Sequence, residues 1–128
     1  MITADQIVCH LVGDYILQSD WQAMNKGKKF WIALAHSLIY STPFLFLGMS
    51  WKASLLIVGS HAVIDHFSLA KYLVWAKNWI GLERPKPWAE CNQNGYSADR
   101  PPFLTWWLYI IADNTLHIII NGLALAYL

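Results

Sequence analysis

The chain has 128 residues, of which 56% are hydrophobic, 15% aromatic and only 13% charged, with a formal net charge of +1. Soluble domains carry about 25% charged residues, so this composition argues against an ordinary soluble domain and indicates a membrane protein. The small net charge gives no indication of a nucleic-acid partner, and none is predicted. A chain of this length predicts a single domain.

Four apolar segments, taken in chain order, predict four helices. The first, at about 2–19, contains several polar residues and is predicted as an interior helix whose polar face is covered. Stronger apolar runs predict helices at about 30–48, 53–75 and 103–127, since about 20 residues cross the hydrocarbon core. Residues 76–102 contain four prolines and predict a loop. The predicted fold is an all-α, four-helix transmembrane bundle with a polar His/Asp centre.

The basic residues predict how this bundle is oriented. Every Lys and Arg except Lys52 lies either between the first and second apolar runs or between the third run, which ends at Ala70, and the fourth, with Arg84 in the second of these stretches. Cytoplasmic loops carry an excess of Lys and Arg, so both loops are predicted to be cytoplasmic and both termini periplasmic. The N-terminus has no secretory-signal pattern, and we expect the first helix to remain in the protein.

Three of the predicted helices carry a His and an Asp one turn apart. The pairs are His10 with Asp14, His61 with Asp65, and Asp113 with His117. Residues four apart share one side of a helix, and the fourth helix reverses the order, as one site in an antiparallel bundle requires. His36 on the second helix completes the set. Counting from the cytoplasmic helix ends at about 1.5 Å per residue places the set in the cytoplasmic half of the membrane.

Burial inside a membrane makes a bound cation the favoured interpretation of this set. Charges near the bilayer centre are costly unless they are paired or coordinated, and facing carboxylates repel each other. Imidazole and carboxylate ligands without Cys suit Zn²⁺, Mn²⁺ or Fe²⁺, and seven candidates are enough for one or two ions. The predicted ligands are His10, Asp14, His36, His61, Asp65, Asp113 and His117. A buried ion-pair network and a proton or ion pathway remain as alternatives.

Other polar residues are predicted to support this site. Gln18, Tyr40 and Asn121 lie one turn from candidate ligands and could orient ligands or substrate, or make helix contacts. Asn25, Lys26 and Arg100 lie at the predicted cytoplasmic rim, where Lys26, Lys71 and Arg100 could hold a phosphate or act as topology signals. Asp65 and Asp113 are the candidate catalytic bases. His66 points about 100° away from Asp65 and is left out of the ligand set.

Several segments carry a resemblance to a known family. The segments HLVGDYILQSDWQAMNKGK, AHSLIY, SHAVIDHF and DRPPFLTWWLYIIADNTLH resemble small bacterial and phage membrane proteins of the domain-of-unknown-function family 3307. The likeness covers nearly the whole chain, and the last segment is most similar to phage-encoded members. The matching positions are His10, Asp14, Gln18, Trp21, Asn25, Lys26, His36, His61, Asp65, Asp113 and His117. The family carries no established activity, and the resemblance implies a multi-pass protein of the bacterial inner membrane.

Three functions are consistent with these observations. The favoured one is a metal-dependent hydrolase that acts on a lipid or lipid-linked ester or phosphoester, which a more distant likeness to inner-membrane proteins labelled metal-dependent hydrolases also implies. The second is an ion- or proton-translocating component. The third is a non-catalytic phage membrane protein that binds a host partner and uses the metal as a structural staple. Membrane lipids are the expected partners, and the sequence leaves open whether the chain forms a homo-oligomer.

Overall fold

The computed structural model describes residues 2–81 and 86–128, and these are helical and contain no β-strand. The all-α prediction is therefore confirmed for these residues. Arg84, which contributes to the predicted orientation, lies outside the described residues, as does part of the predicted loop 76–102. The helices are α1 (Ala4–Leu11), α2 (Asp20–Asn25), α3 (Phe30–Ser41), α4 (Trp51–Phe67), α5 (Ala70–Lys77) and α6 (Pro102–Tyr127).

Several shorter helical segments extend or connect these helices. A π-helical turn follows α1, and a 3₁₀ segment that includes Pro43 follows α3, so the proline marks a change of helix type. Two further 3₁₀ turns flank the undescribed residues of the loop. The segments are Val12–Ile16, Thr42–Leu47, Asn78–Ile80 and Trp88–Glu90.

The predicted first helix is shorter in the structure. Thr3 begins α1 with a capping box, in which its hydroxyl accepts from the Gln6 N–H and the Gln6 side chain accepts from the Thr3 N–H. The helical path then ends at Ile16, and Ser19 caps α2 in the same way. A polar capping residue inside the predicted helix is the physical reason for the early end.

The predicted third helix, 53–75, is two helices in the structure. Ser68 adopts a left-handed conformation with φ of 50°, which ends α4, and α5 begins at Ala70. Non-glycine residues seldom adopt this conformation, and no Gly or Pro marks the break in the sequence. The apolar pattern therefore could not predict the break between α4 and α5.

Two described helical segments are long and apolar enough to span a membrane, namely Phe30–Leu47 and Pro102–Tyr127. Trp51–Phe67 and Ala70–Ile80 give a third only when they are counted together as one broken span. The first predicted helix is not among these segments, since Ala4–Ile16 covers about 20 Å at 1.5 Å per residue, against about 30 Å of hydrocarbon, and the four-helix membrane bundle is not confirmed. The structure is compatible with a membrane protein.

The chain forms two compact units, Met1–Ser68 with His117–Leu128, and Leu69–Leu116. The first unit has an apolar core that consists of Tyr40, Phe44, Ala53, Ile57 and Ala124. In the second unit the Asn94 amide donates to the Thr105 hydroxyl over 3.1 Å, and both side chains are buried. The prediction of a single domain stays a prediction.

Gly13 allows the π-helical turn to lie directly against α3. A Cβ at this position would lie 2.6 Å from Tyr40 Cδ2 and 2.7 Å from the Tyr40 carbonyl oxygen. Only a residue without a side chain permits this approach. Asp14, the next residue, is thereby held beside α3.

We expect Gly13→Ala to lower the free energy of unfolding of the detergent-purified protein by about 1–3 kcal/mol, because the added methyl overpacks against backbone. Thermal unfolding followed by circular dichroism measures the change. Gly59→Ala in α4 is the matched control, since its Cβ would meet no atom within 4 Å. Equal stability of the two variants would contradict the close approach at Gly13.

Candidate metal centre

Four buried side chains converge inside the first unit. Asp14 comes from the π-helical turn, His36 from α3, and His61 and Asp65 from successive turns of α4. One ligand atom from each of the four lies within 4.8 Å of the others. This buried Asp/His cluster, which we call the metal cluster, could hold a metal ion.

The spacing of the ligand atoms suits tetrahedral coordination. His36 Nε2 lies 3.1 Å from Asp14 Oδ1 and 3.0 Å from His61 Nε2. His61 Nε2 lies 3.4 Å from Asp14 Oδ1 and 3.2 Å from Asp65 Oδ2, and the His36–Asp65 pair is 3.5 Å apart. A tetrahedral site with bonds of about 2.0–2.1 Å has ligand atoms about 3.3 Å apart. The five distances fall around this value.

The two facing imidazoles favour a cation over a simple hydrogen-bond network. Along the 3.0 Å contact between His36 Nε2 and His61 Nε2, only one nitrogen can carry a proton. A central cation accepts the lone pairs of both nitrogens and also neutralises the carboxylates. The opposite nitrogens, Nδ1 of both rings, are buried and make no hydrogen bond to any described residue.

Lys26 supplies a positive charge at one edge of the metal cluster. Its ammonium lies 2.7 Å from Asp65 Oδ2, and the Asp65 side chain is only 3% exposed. His66 Nδ1 donates to the Lys26 carbonyl oxygen over 3.0 Å and so holds the loop that carries the lysine. The structure therefore places Lys26 as the ion-pair partner of Asp65, and His66 outside the metal cluster.

A second polar layer, centred on Tyr40, covers the metal cluster. The Tyr40 ring stacks on His61 with 3.7 Å between centroids. Its hydroxyl lies 2.8 Å from His10 Nδ1 and accepts from the Asn121 amide. Tyr40 and Asn121 thus contact each other and His10 beside the cluster, and their predicted orienting roles stay predictions.

His10 belongs to this outer layer. Its Nε2 lies 3.9 Å from Asp14 Oδ2, which is too long for two atoms in a hydrogen bond. The π-helical turn that begins at Val12 changes the spacing between the two residues from that of an ideal α-helix. The role of His10 as a direct ligand stays a prediction.

Of the remaining predicted residues, His117 belongs to the first unit, and Asp113 and Arg100 belong to the second. His117 Nε2 is 3.5 Å from Asp65 Oδ1, so it contacts the carboxylate oxygen that is not in the cluster. Asp113 lies one turn earlier on α6, is half-buried and belongs to the second unit, as does Arg100. Their predicted roles stay predictions.

Gln18 and Asn25 lie on the segment between the π-helical turn and α3. Gln18 Oε1 is buried and makes no hydrogen bond to the described part of the chain, so it remains available to a ligand. The Asn25 amide donates to the Trp21 carbonyl over 2.8 Å and so stabilises the last turn of α2. Asn25 therefore has a structural contact on its own helix.

Sequence reasoning missed two features of the site. One is Gly13, which sets the position of Asp14, and its only signal was its place beside a candidate ligand. The other is the π-helical turn, a feature that is frequent at functional sites but has no sequence signature here.

These observations define a helical protein with helices that could span a membrane and a buried Asp/His cluster that could hold a metal ion. The family described as "Protein of unknown function (DUF3307)" matches residues 2–127, and the chain belongs to this family. The predicted family is confirmed, while a phage origin stays a prediction. Neither a curated protein nor a solved structure matches the chain.

We expect purified full-length protein to contain a transition metal, and His36→Ala and His61→Ala each to bind it at least about 100-fold more weakly, because each removes a direct ligand. Elemental analysis after chelator-free preparation measures the content. His66→Gln is the matched control, since His66 lies outside the cluster and should keep the metal. Metal-free wild-type protein with all three variants folded would contradict the site.

We expect Lys26→Gln to strengthen metal binding, because an ammonium 2.7 Å from Asp65 Oδ2 repels a divalent ion held in the same cluster. In the metal-free protein the same change removes the ion-pair partner of the buried Asp65 carboxylate and should lower stability by about 1–3 kcal/mol. Zinc titration and thermal unfolding with and without chelator measure the two effects. Lys28→Gln, a change in the same loop, is the control. Weaker metal binding in Lys26→Gln would show that the lysine supports the ion instead.

Proposed function

We propose that this chain is a membrane-embedded metal-dependent hydrolase that acts on a lipid or lipid-linked ester or phosphoester. The observation that carries the proposal is the buried cluster of two imidazoles and two carboxylates, in which one carboxylate, Asp65, is paired with Lys26. The proposal includes a four-helix arrangement in a bacterial inner membrane, with both termini periplasmic and the site in the cytoplasmic half. The two helical segments of spanning length support the membrane placement.

The ion pair between Lys26 and Asp65 distinguishes the roles of the four residues in the metal cluster. In the proposal, Asp65 is the base and the other three residues are the metal ligands. Asp14, His36 and His61 supply one carboxylate and two imidazoles, and three protein ligands with one open position are typical of catalytic zinc sites. A divalent ion such as Zn²⁺, Mn²⁺ or Fe²⁺ would polarise the ester and lower the pKa of water at the open position. The proposal places one ion here, and a site with two ions is the alternative.

Asp65 then serves as the general base. Lys26 at 2.7 Å and His117 at 3.5 Å hold its two oxygens in place, while Oδ2 still faces the cluster. From this position the carboxylate can accept a proton from water that attacks the ester carbon or phosphorus. The bond to the alcohol oxygen then breaks, and protonated Asp65 can return the proton to the leaving alkoxide. Lys26, as the nearest cation, can stabilise the negative charge that develops. Asp113 stays the alternative base.

One observation favours ion or proton translocation as a second candidate. The buried polar side chains continue from His61 to Tyr40, His10 and Asn121, so that polar groups extend beyond the metal cluster. Tyr40, however, also packs in the apolar core with Phe44, Ile57 and Ala124. A pathway should remain polar on both sides, so hydrolysis is the better-supported function.

The hydrolysis proposal is tested with full-length protein reconstituted in liposomes that contain fluorogenic lipid phosphoesters and carboxyl esters. We expect turnover that a chelator abolishes and that Zn²⁺ or Mn²⁺ restores. Asp65→Asn should lower kcat by about 10²–10⁴-fold with the metal retained, because it removes a general base. Asp14→Asn should lose both metal and turnover.

Lys52→Gln, an exposed lysine outside the site, controls for the effect of removing a charge. If Asp65→Asn keeps full activity and Asp113→Asn does not, the base is Asp113. Stoichiometric metal without turnover of either substrate class would overturn the hydrolase and favour a structural metal in a protein that binds a partner.

A further inference from the structure

The second unit contains a cavity of about 570 Å³ to which no residue of the metal cluster contributes. Cavities of about 300–1,000 Å³ are typical of sites for small molecules and cofactors. Its lining includes three cationic side chains, from Lys77, Lys86 and Arg100, and an apolar wall of Trp75 and Leu108. The cavity therefore combines basic side chains with an apolar wall that could contact a hydrocarbon chain.

The charge balance of this cavity favours an anion. Lys77 Nζ donates to the neutral Tyr96 hydroxyl over 2.7 Å, so this contact leaves its charge uncompensated. Lys86 is 3.8 Å from an exposed Glu90 carboxylate, and such solvent-exposed pairs contribute little. A hydrogen bond from Ser97 lowers the pKa of Asp99, the described acidic lining residue, which lies 4.0 Å from Arg100. Among the described lining residues, three basic side chains therefore stand against one acidic side chain.

The position of the cavity along α6 favours an amphiphile. Leu104, Thr105 and Leu108, from the first two turns of α6, line it. This helix of 26 residues is about 39 Å long, so in a membrane about 9 Å of it extends beyond the hydrocarbon core. The exposed Trp106 and Trp107 in these turns are typical anchors at the membrane surface. The cavity then lies at headgroup depth.

We propose that this cavity binds the phosphate headgroup of an anionic phospholipid, with the three cations on the phosphate and the Trp75–Leu108 wall against the first part of an acyl chain. Basic pockets beside membrane helices bind such headgroups. The inference rests on the proposed membrane placement of α6 and does not depend on hydrolysis at the metal cluster.

The test measures lipid binding to delipidated full-length protein in detergent by native mass spectrometry. The probes are phosphatidylglycerol, phosphatidylcholine and soluble glycerol 3-phosphate. We expect a preference of at least about tenfold for phosphatidylglycerol over phosphatidylcholine. Lys77→Gln with Arg100→Gln should weaken phosphatidylglycerol binding about 30-fold, since each basic residue near a membrane surface contributes about fivefold.

Lys52→Gln is the matched control and should bind like the wild type, because Lys52 lies in the first unit. Both cavity residues are exposed, so their replacement should leave the fold intact, and unchanged metal content checks this. Equal binding of the two lipids, or an unaffected double variant, overturns the proposal. Glycerol 3-phosphate that binds as tightly as phosphatidylglycerol would assign the cavity to a free phosphate ester and also overturn it.

Discussion

The arrangement around the metal cluster depends on one electrostatic constraint, which is that two imidazoles and two carboxylates share a buried site. His36 and His61 bring their Nε2 atoms to 3.0 Å, a distance that requires a proton or a cation between them. Lys26 compensates Asp65, but Asp14 has His36 and His61 as its close contacts. The packing of the first unit brings the second carboxylate to the two imidazoles. Because Gly13 has no side chain, the π-helical turn lies against α3 and Asp14 reaches His36.

Much of the metal cluster could be predicted from helical spacing. His61 and Asp65 lie one turn apart, and matching depths in antiparallel helices brought Asp14 and His36 to the same level. Lys26 could not be assigned its contact, because it lies in a loop and no periodicity links a loop residue to a distant helix. His10 was predicted as a ligand one turn from Asp14, and in the structure its imidazole contacts the Tyr40 hydroxyl.

The all-helical class followed from the apolar runs, whereas the helix ends did not. Ser68 ends α4 in a conformation that sequence patterns reserve for glycine, and only the surrounding packing can impose it. Ser19, the last residue of the first predicted helix, caps the short helix α2, because a serine side chain can bond the backbone of a new helix in place of continuing the preceding one. Both helix ends depend on the local backbone conformation and hydrogen bonding of a single serine. Hydrophobic periodicity carries no information about either property.

The Lys26 ion pair separates a catalytic site from a structural one. Asp65 Oδ2 cannot serve fully both an ammonium at 2.7 Å and a divalent ion, because the two cations repel each other. If Asp65 were the fourth ligand, the shell would be closed, Lys26 would be released, and no position would remain for a substrate. With Lys26 in place, the three remaining ligands leave one position open beside a carboxylate. The contact is therefore an argument for the proposed hydrolase over a structural staple.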